Sequence, residues 1–80
     1  MSKNNKLPFA ECVSHSLKRY LKDLNGEVPA ALYDMVISQV EKPLLEMVMQ
    51  RAENNQTRAA QMLGLNRNTL RKKLRDHGLI

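Results

Sequence analysis

Apolar side chains recur along this chain at spacings of three and four, and polar turn residues divide the pattern into four segments. Residues so spaced share one face of an α-helix. The first segment carries Phe9, Val13, Leu17, Tyr20, Leu21 and Leu24. Pro8 suits a first helical position, where its missing N–H costs nothing, and Asn25-Gly26 supplies a left-handed stop. A helix over residues 8–24 is predicted. Cys12 lies at the edge of its apolar stripe and reads as a buried, inert thiol, and His15 reads as a surface residue.

Pro29 is expected to open the second helix in the same way. Its apolar positions are Leu32, Val36, Val40, Leu44, Met47 and Val48, with Tyr33, Met35, Ile37, Leu45 and Met49 widening the arc. A helix apolar over so much of its circumference is buried from more than one side. Met35, Met47, Met49 and Met62 read as packing residues, since thioethers fill irregular gaps. Pro43 removes a backbone donor and crowds the preceding turn. The apolar phase nevertheless runs on from Val40 to Leu44 to Met47, which predicts one helix over 29–53, kinked at Pro43, rather than two.

Glu53-Asn54-Asn55 then breaks the pattern with turn-prone residues. A short third helix over 56–63 follows, with Ala59 and Ala60 small enough for another helix to approach closely. Gly64 fits the left-handed position after it, and Leu65 is expected to drop into the core. Asn66 is an N-cap candidate for a fourth helix over 67–76, whose buried stripe is Leu70 and Leu74 and whose stop is Gly78. The fold class is all-α. Residues 1–6 read as a disordered tail, 7–54 as a helical dimerisation region and 55–80 as a helix-turn-helix.

Length sharpens the second helix's meaning. An 80-residue chain buries only roughly 60% of the surface it exposes unfolded, so a lone core is marginal. One cysteine, with no Cys-x-x-Cys or His-x-x-x-His spacing, leaves neither an internal disulfide nor a structural metal. Self-association is the remaining remedy, and a second copy is expected on the wide stripe. The polar N-terminus has no secretory signal, and no apolar run approaches the ~20 residues of a membrane span. A cytoplasmic protein without a membrane partner is expected.

Charge points to the other partner. Residues 1–50 carry six Lys/Arg and six Asp/Glu, whereas 51–80 carry seven Lys/Arg against Glu53 and Asp76, so the net +5 sits in the last thirty residues. On a helical wheel Leu70 and Leu74 point inward, Asn68, Thr69, Lys72 and Arg75 point away, and Arg67, Arg71 and Lys73 flank the apolar stripe. The first turn holds Asn66 and Arg67, types that can grip adenine and guanine edges respectively. Behind them Thr69, Arg71, Lys72, Lys73 and Arg75 suit phosphates, and Asn55, Gln56, Thr57 and Arg58 crowd another helix N-terminus that favours a phosphate. Base readers followed by cations is the layout of a helix that enters the major groove of double-stranded DNA. A solubilising cationic face is the bland alternative. A membrane-surface helix fits poorly, because Leu70 and Leu74 are needed by the core and no aromatic accompanies them.

Catalysis finds no support. His15 and His77 stand alone in the sequence, no nucleophile–base pairing is apparent, and no glycine-rich phosphate loop occurs. No enzyme activity, cofactor, metal or small-molecule substrate is expected.

The stretch Pro43-Leu44-Leu45-Glu46-Met47-Val48-Met49-Gln50, then Asn55-Gln56-Thr57-Arg58-Ala59-Ala60 and Gly64-Leu65-Asn66-Arg67-Asn68-Thr69-Leu70-Arg71-Lys72-Lys73-Leu74, resembles the Fis (factor for inversion stimulation) family. The resemblance is specific over 43–80 and continuous but looser over 7–42. It implies a homodimer of four-helix subunits interlaced through helices 1 and 2, which assigns dimerisation to Leu17, Leu21, Leu32, Val36, Val40 and Leu44. It also implies a nucleoid protein that binds and bends many DNA sites of degenerate sequence and regulates transcription, with RNA polymerase as a further partner. Its DNA contacts fall on Asn55, Thr57, Arg58, Asn66, Arg67, Thr69, Arg71, Lys72 and Lys73, with Asn66 and Arg67 reaching bases. The best-known members carry a long N-terminal arm that activates DNA-inverting recombinases. Only six or seven residues precede helix 1 here, so that activity is not carried over, and Asn68 stands where those members have glycine. The alternatives are a stand-alone output domain of the NtrC-type activator lineage, whose ATPase and receiver domains 80 residues cannot hold, or a basic module for RNA or an acidic protein.

Overall fold

A computed structural model of the chain describes residues 8–80, which form four helices, α1 (Phe9–Asp23), α2 (Leu32–Arg51), α3 (Gln56–Leu63) and α4 (Arg67–Asp76), with no strand among the described residues. The tail expected over residues 1–6 lies outside the described residues. Two compact units divide between Ala30 and Ala31, so α1 belongs to one and α2, α3 and α4 to the other.

Helix α1 begins where Pro8 accepts its first backbone bond, from the Cys12 N–H at 3.0 Å. Pro8 is therefore the cap rather than the first helical residue. The helix ends one residue before Leu24, and Asn25 and Gly26 follow with φ of 53° and 85°. No residue of α1 is buried. The expected buried thiol is thus corrected: Cys12 is exposed, because a helix edge in a single chain lacks the second surface that would cover it.

Helix α2 starts three residues later than Pro29. Ala31 is its cap, in the left-handed region at φ 53°, and makes no side-chain cap bond. That conformation separates Pro29 from the helix, so the proline stiffens the approach and Leu32 opens the helix. The helix then runs unbroken through Pro43 to Arg51. Its end comes two residues earlier than the polar run implies, since Glu53 and Asn54 both turn left-handed, at φ 55° and 64°. Each such residue carrying a Cβ costs roughly 1–2 kcal/mol.

The second unit closes around Leu45, Ala52, Ala59, Ala60, Leu70 and Leu74, with Val48, Met49, Leu63 and Leu79 packed against them. Ala59 and Ala60 are 0% and 4% exposed, and their small size lets α3 lie against both α2 and α4. Leu45 faces this core, whereas its neighbour Leu44 stays 48% exposed. Leu63, rather than Leu65, packs on the core; Leu65 is half-buried beside the turn.

Gly64 sits at φ 72° with nothing within 4 Å of where a Cβ would stand. A Gly64→Ala substitution therefore meets a backbone cost without a clash. Urea denaturation is expected to show a loss of about 1–2 kcal/mol, and Gly64→Asn a smaller one, since asparagine tolerates this conformation. A loss near zero would mean that the turn relaxes out of the left-handed region.

Candidate nucleic-acid interface

Two capped helix starts frame the basic surface. Asn55 is extended (φ −88°, ψ 106°), and its Oδ1 accepts the Arg58 backbone N–H at 3.1 Å. Asn66 repeats the device at φ −66°, ψ 143°, with Oδ1 accepting the Asn68 N–H at 2.8 Å. Each cap satisfies a donor that the first helical turn cannot. The Asn66 bond also orients its side chain, leaving the two amide donors of Nδ2 available. Between the helices, the Leu65 N–H reaches back to the Ala60 carbonyl at 2.9 Å, which fixes the turn at Gly64.

Asn66, Arg67, Asn68 and Thr69 are all exposed at the start of α4, followed by exposed Arg71, Lys72 and Arg75. Arg67, Arg71 and Arg75 recur every fourth residue and so form one arginine line along the helix. None of them, nor Arg58, has an acidic partner among the described residues. Asn55, Thr57 and Arg58 are exposed on the neighbouring start. Gln56 differs: it is half-buried, and its Oε1 is buried without a hydrogen-bond partner among the described residues.

The two lysines part company. Lys72 pairs with Asp76 one turn on, at 3.0 Å, with side chains 74% and 57% exposed. Such an exposed pair is worth ~0–1 kcal/mol and exchanges readily. Lys73 instead donates across to Glu41 on α2, Nζ to Oε2 at 2.8 Å, while His77 Nε2 lies 2.9 Å from Oε1 of the same carboxylate. His77 therefore does not stand alone in the fold. Because an ionised carboxylate only accepts, the histidine nitrogen facing it carries the proton. The hydrogen bond from Lys73, then that from His77, holds the Glu41 carboxyl below its ordinary value against an opposing desolvation.

Glu41 was invisible as a functional candidate in the linear sequence, although one signal exists. Residues 41, 45, 48 and 52 share a stripe of α2, so an acid there stands on the core-facing side. Lys73 and His77 lie on the corresponding side of α4, with Leu70 and Leu74.

A family model described as "Bacterial regulatory protein, Fis family" matches residues 36–77. Over 80 residues, the whole of both chains, the sequence is 55% identical to a protein of Ralstonia nicotianae named as a Fis-like DNA-binding protein. A protein of the same name from Neisseria meningitidis serogroup A is 58% identical over 72 residues, 90% of this chain and 91% of that one. The DNA-binding protein Fis of Mannheimia haemolytica is 56% identical over 72 residues, 90% of this chain and 74% of that protein.

The Glu41 bridge makes stability depend on pH with a definite sign. A carboxyl lowered in the folded state stabilises fully above its unfolded value, near ~4.3, and the contribution disappears as pH falls through the lower folded value. Wild type should exceed Glu41→Gln by about 1–3 kcal/mol at pH 7, with the gap closing in acid below pH ~4. Urea titrations at a series of pH values measure it; a gap that persists undiminished at pH ~2 would assign the effect to packing.

Proposed function

Because the chain belongs to the Fis family of bacterial regulatory proteins, we propose that it is a homodimer that binds and bends double-stranded DNA. The observation that carries this reading is the exposed start of α4. There the capping Asn66 and Arg67, which has no acidic partner among the described residues, stand ahead of Arg71, Lys72 and Arg75. Asn66 and Arg67 read base edges; the cations behind them, with Thr69, Asn55, Thr57 and Arg58, hold phosphates. Gln56 supports this edge from a half-buried position. Lys73 is left out of the phosphate set, since its ammonium is taken by Glu41.

Apolar surface that one chain leaves uncovered supports the dimer. Leu21, Val40 and Leu44 are 41%, 49% and 48% exposed, and Leu17, Leu32 and Val36 are only half-buried. A second copy covers this set, interlaced through α1 and α2, and a kink at Pro43 directs the C-terminal half of α2 toward DNA. Two-fold symmetry then offers two copies of α4 to successive major grooves, about 34 Å apart on straight DNA. A narrower separation bends the duplex, and sites are chosen partly by how easily their centre deforms, which yields a degenerate consensus. In the cell this activity organises the cytoplasmic nucleoid and regulates transcription, with RNA polymerase as the further partner. No helix among the described residues is long and apolar enough to cross a membrane.

Sedimentation at micromolar concentration is expected to give twice the chain mass; a folded monomer would refute the interface. DNA affinity should fall with salt at a slope near −7 for about four phosphates per subunit, with footprints at half-sites one turn apart. An RNA or acidic-protein partner would not impose that period. Arg67→Ala should cost about 1–3 kcal/mol and relax base preference, whereas Lys72→Ala should weaken all sequences alike. Matching sequence profiles for the two variants would reject the division of roles.

A further inference from the structure

One half-buried carboxylate away from the exposed basic surface holds two donors at once. Glu41 accepts Lys73 Nζ on Oε2 at 2.8 Å and faces His77 Nε2 from Oε1 at 2.9 Å. We propose that Glu41 is a positioning residue for DNA recognition: it withdraws Lys73 from the cations that meet phosphate and, together with His77, ties the last turn of α4 to α2. This rests on the DNA-binding reading above.

Magnitudes separate the two neighbouring lysines. Lys72 and Asp76 are largely in water, so exchanging that carboxylate for a phosphate costs little. The Lys73 side chain is 35% exposed and Glu41 21%. Pulling Lys73 toward a phosphate would strip a half-buried carboxylate of its shorter, charge-assisted bond, a larger loss than for a pair in water. Among the described residues Glu41 pairs with Lys73 and His77 alone, so losing Lys73 would leave the carboxylate with the histidine only. Lys73 is therefore a structural cation, although its neighbours in sequence face solvent.

The bridge also controls aim. His77 caps the C-terminal end of α4, and the base readers stand at the other end. Ten residues of helix span ~15 Å. A tilt of ~10° about the tied end moves the reading end by ~2.6 Å, enough to break a hydrogen bond of ~3 Å. A carboxylate accepts from both donors together. A glutamine in its place has one acceptor oxygen and presents donors to the other partner, so Glu41→Gln opens the bridge while keeping the side chain's size.

The test is anisotropy binding of the full chain to a preferred duplex and to a random duplex across a salt series. It is run at a temperature where circular dichroism shows each variant folded. Arg71→Ala removes one contact from each subunit of the dimer and should flatten the salt slope by about 2. Lys73→Met should leave the slope unchanged. Glu41→Gln should steepen it by about 2, because Lys73 is released in both subunits, and should lower the preference for the selected duplex about fivefold or more. Adding Lys73→Met to Glu41→Gln should return the slope to the wild-type value. The inference is overturned if Lys73→Met flattens the slope as Arg71→Ala does, or if Glu41→Gln changes neither slope nor preference. Should Glu41→Gln not fold, the Lys73→Met slope decides alone. A wild-type chain whose binding ignores salt would instead defeat the DNA-binding reading, and that result is visible before any variant is made.

Discussion

How near α3 can come to its neighbours is the constraint on which the second unit depends. Alanine at 59 and 60, almost wholly buried, lets α3 pack against α2 and α4 with little side-chain volume between them. Leu70 and Leu74, both 0% exposed, and Leu45, 1% exposed, then supply most of the buried bulk. A larger residue at either alanine would have to push one helix away, since a packed interior has few voids to absorb added methylenes. The placement of α4 against α3 therefore depends on two methyl groups.

Where a side chain acts within one helical turn, its role was legible in the sequence. Asn55, Gly64 and Asn66 fix the ends of α3 and α4, and those helices have the bounds expected of them, Gln56–Leu63 and Arg67–Asp76. Ala31 explains the misplaced start of α2. A left-handed alanine gives no chemical signal, because its conformation answers to the surrounding fold and not to its own preference. Pro29 therefore looked like a helix start when it belongs to the approach. Cys12 was misread because a stripe edge tells which way a residue leans but not whether anything lies there. The Glu41 bridge escaped notice because its partners stand 32 and 36 residues away, and periodicity read on one helix does not look across to another.

The cations of α4 consequently do not form one class. The arginine line has no acidic partner among the described residues, Lys72 has a loose one in water, and Lys73 has a close one against α2. Net charge alone would have counted all five alike. The apolar residues divide in a similar way. Leu45 serves the core of its own chain, while Leu44, one position along, keeps about half its surface uncovered. Adjacent residues on one helix thus serve different surfaces, which is what a helix with a wide apolar arc allows.

The backbone bonds that make the turns and caps each join residues no more than five apart, so the helix ends can form as soon as the local chain does. The Glu41 bonds instead close a long stretch of chain, whose ordering entropy must be met before they return anything. They can form only once α2 and α4 have been brought together, residues 32 and 36 positions apart meeting at one carboxylate. The caps therefore register that a single turn has formed, whereas the Glu41 bridge registers that two helices have docked.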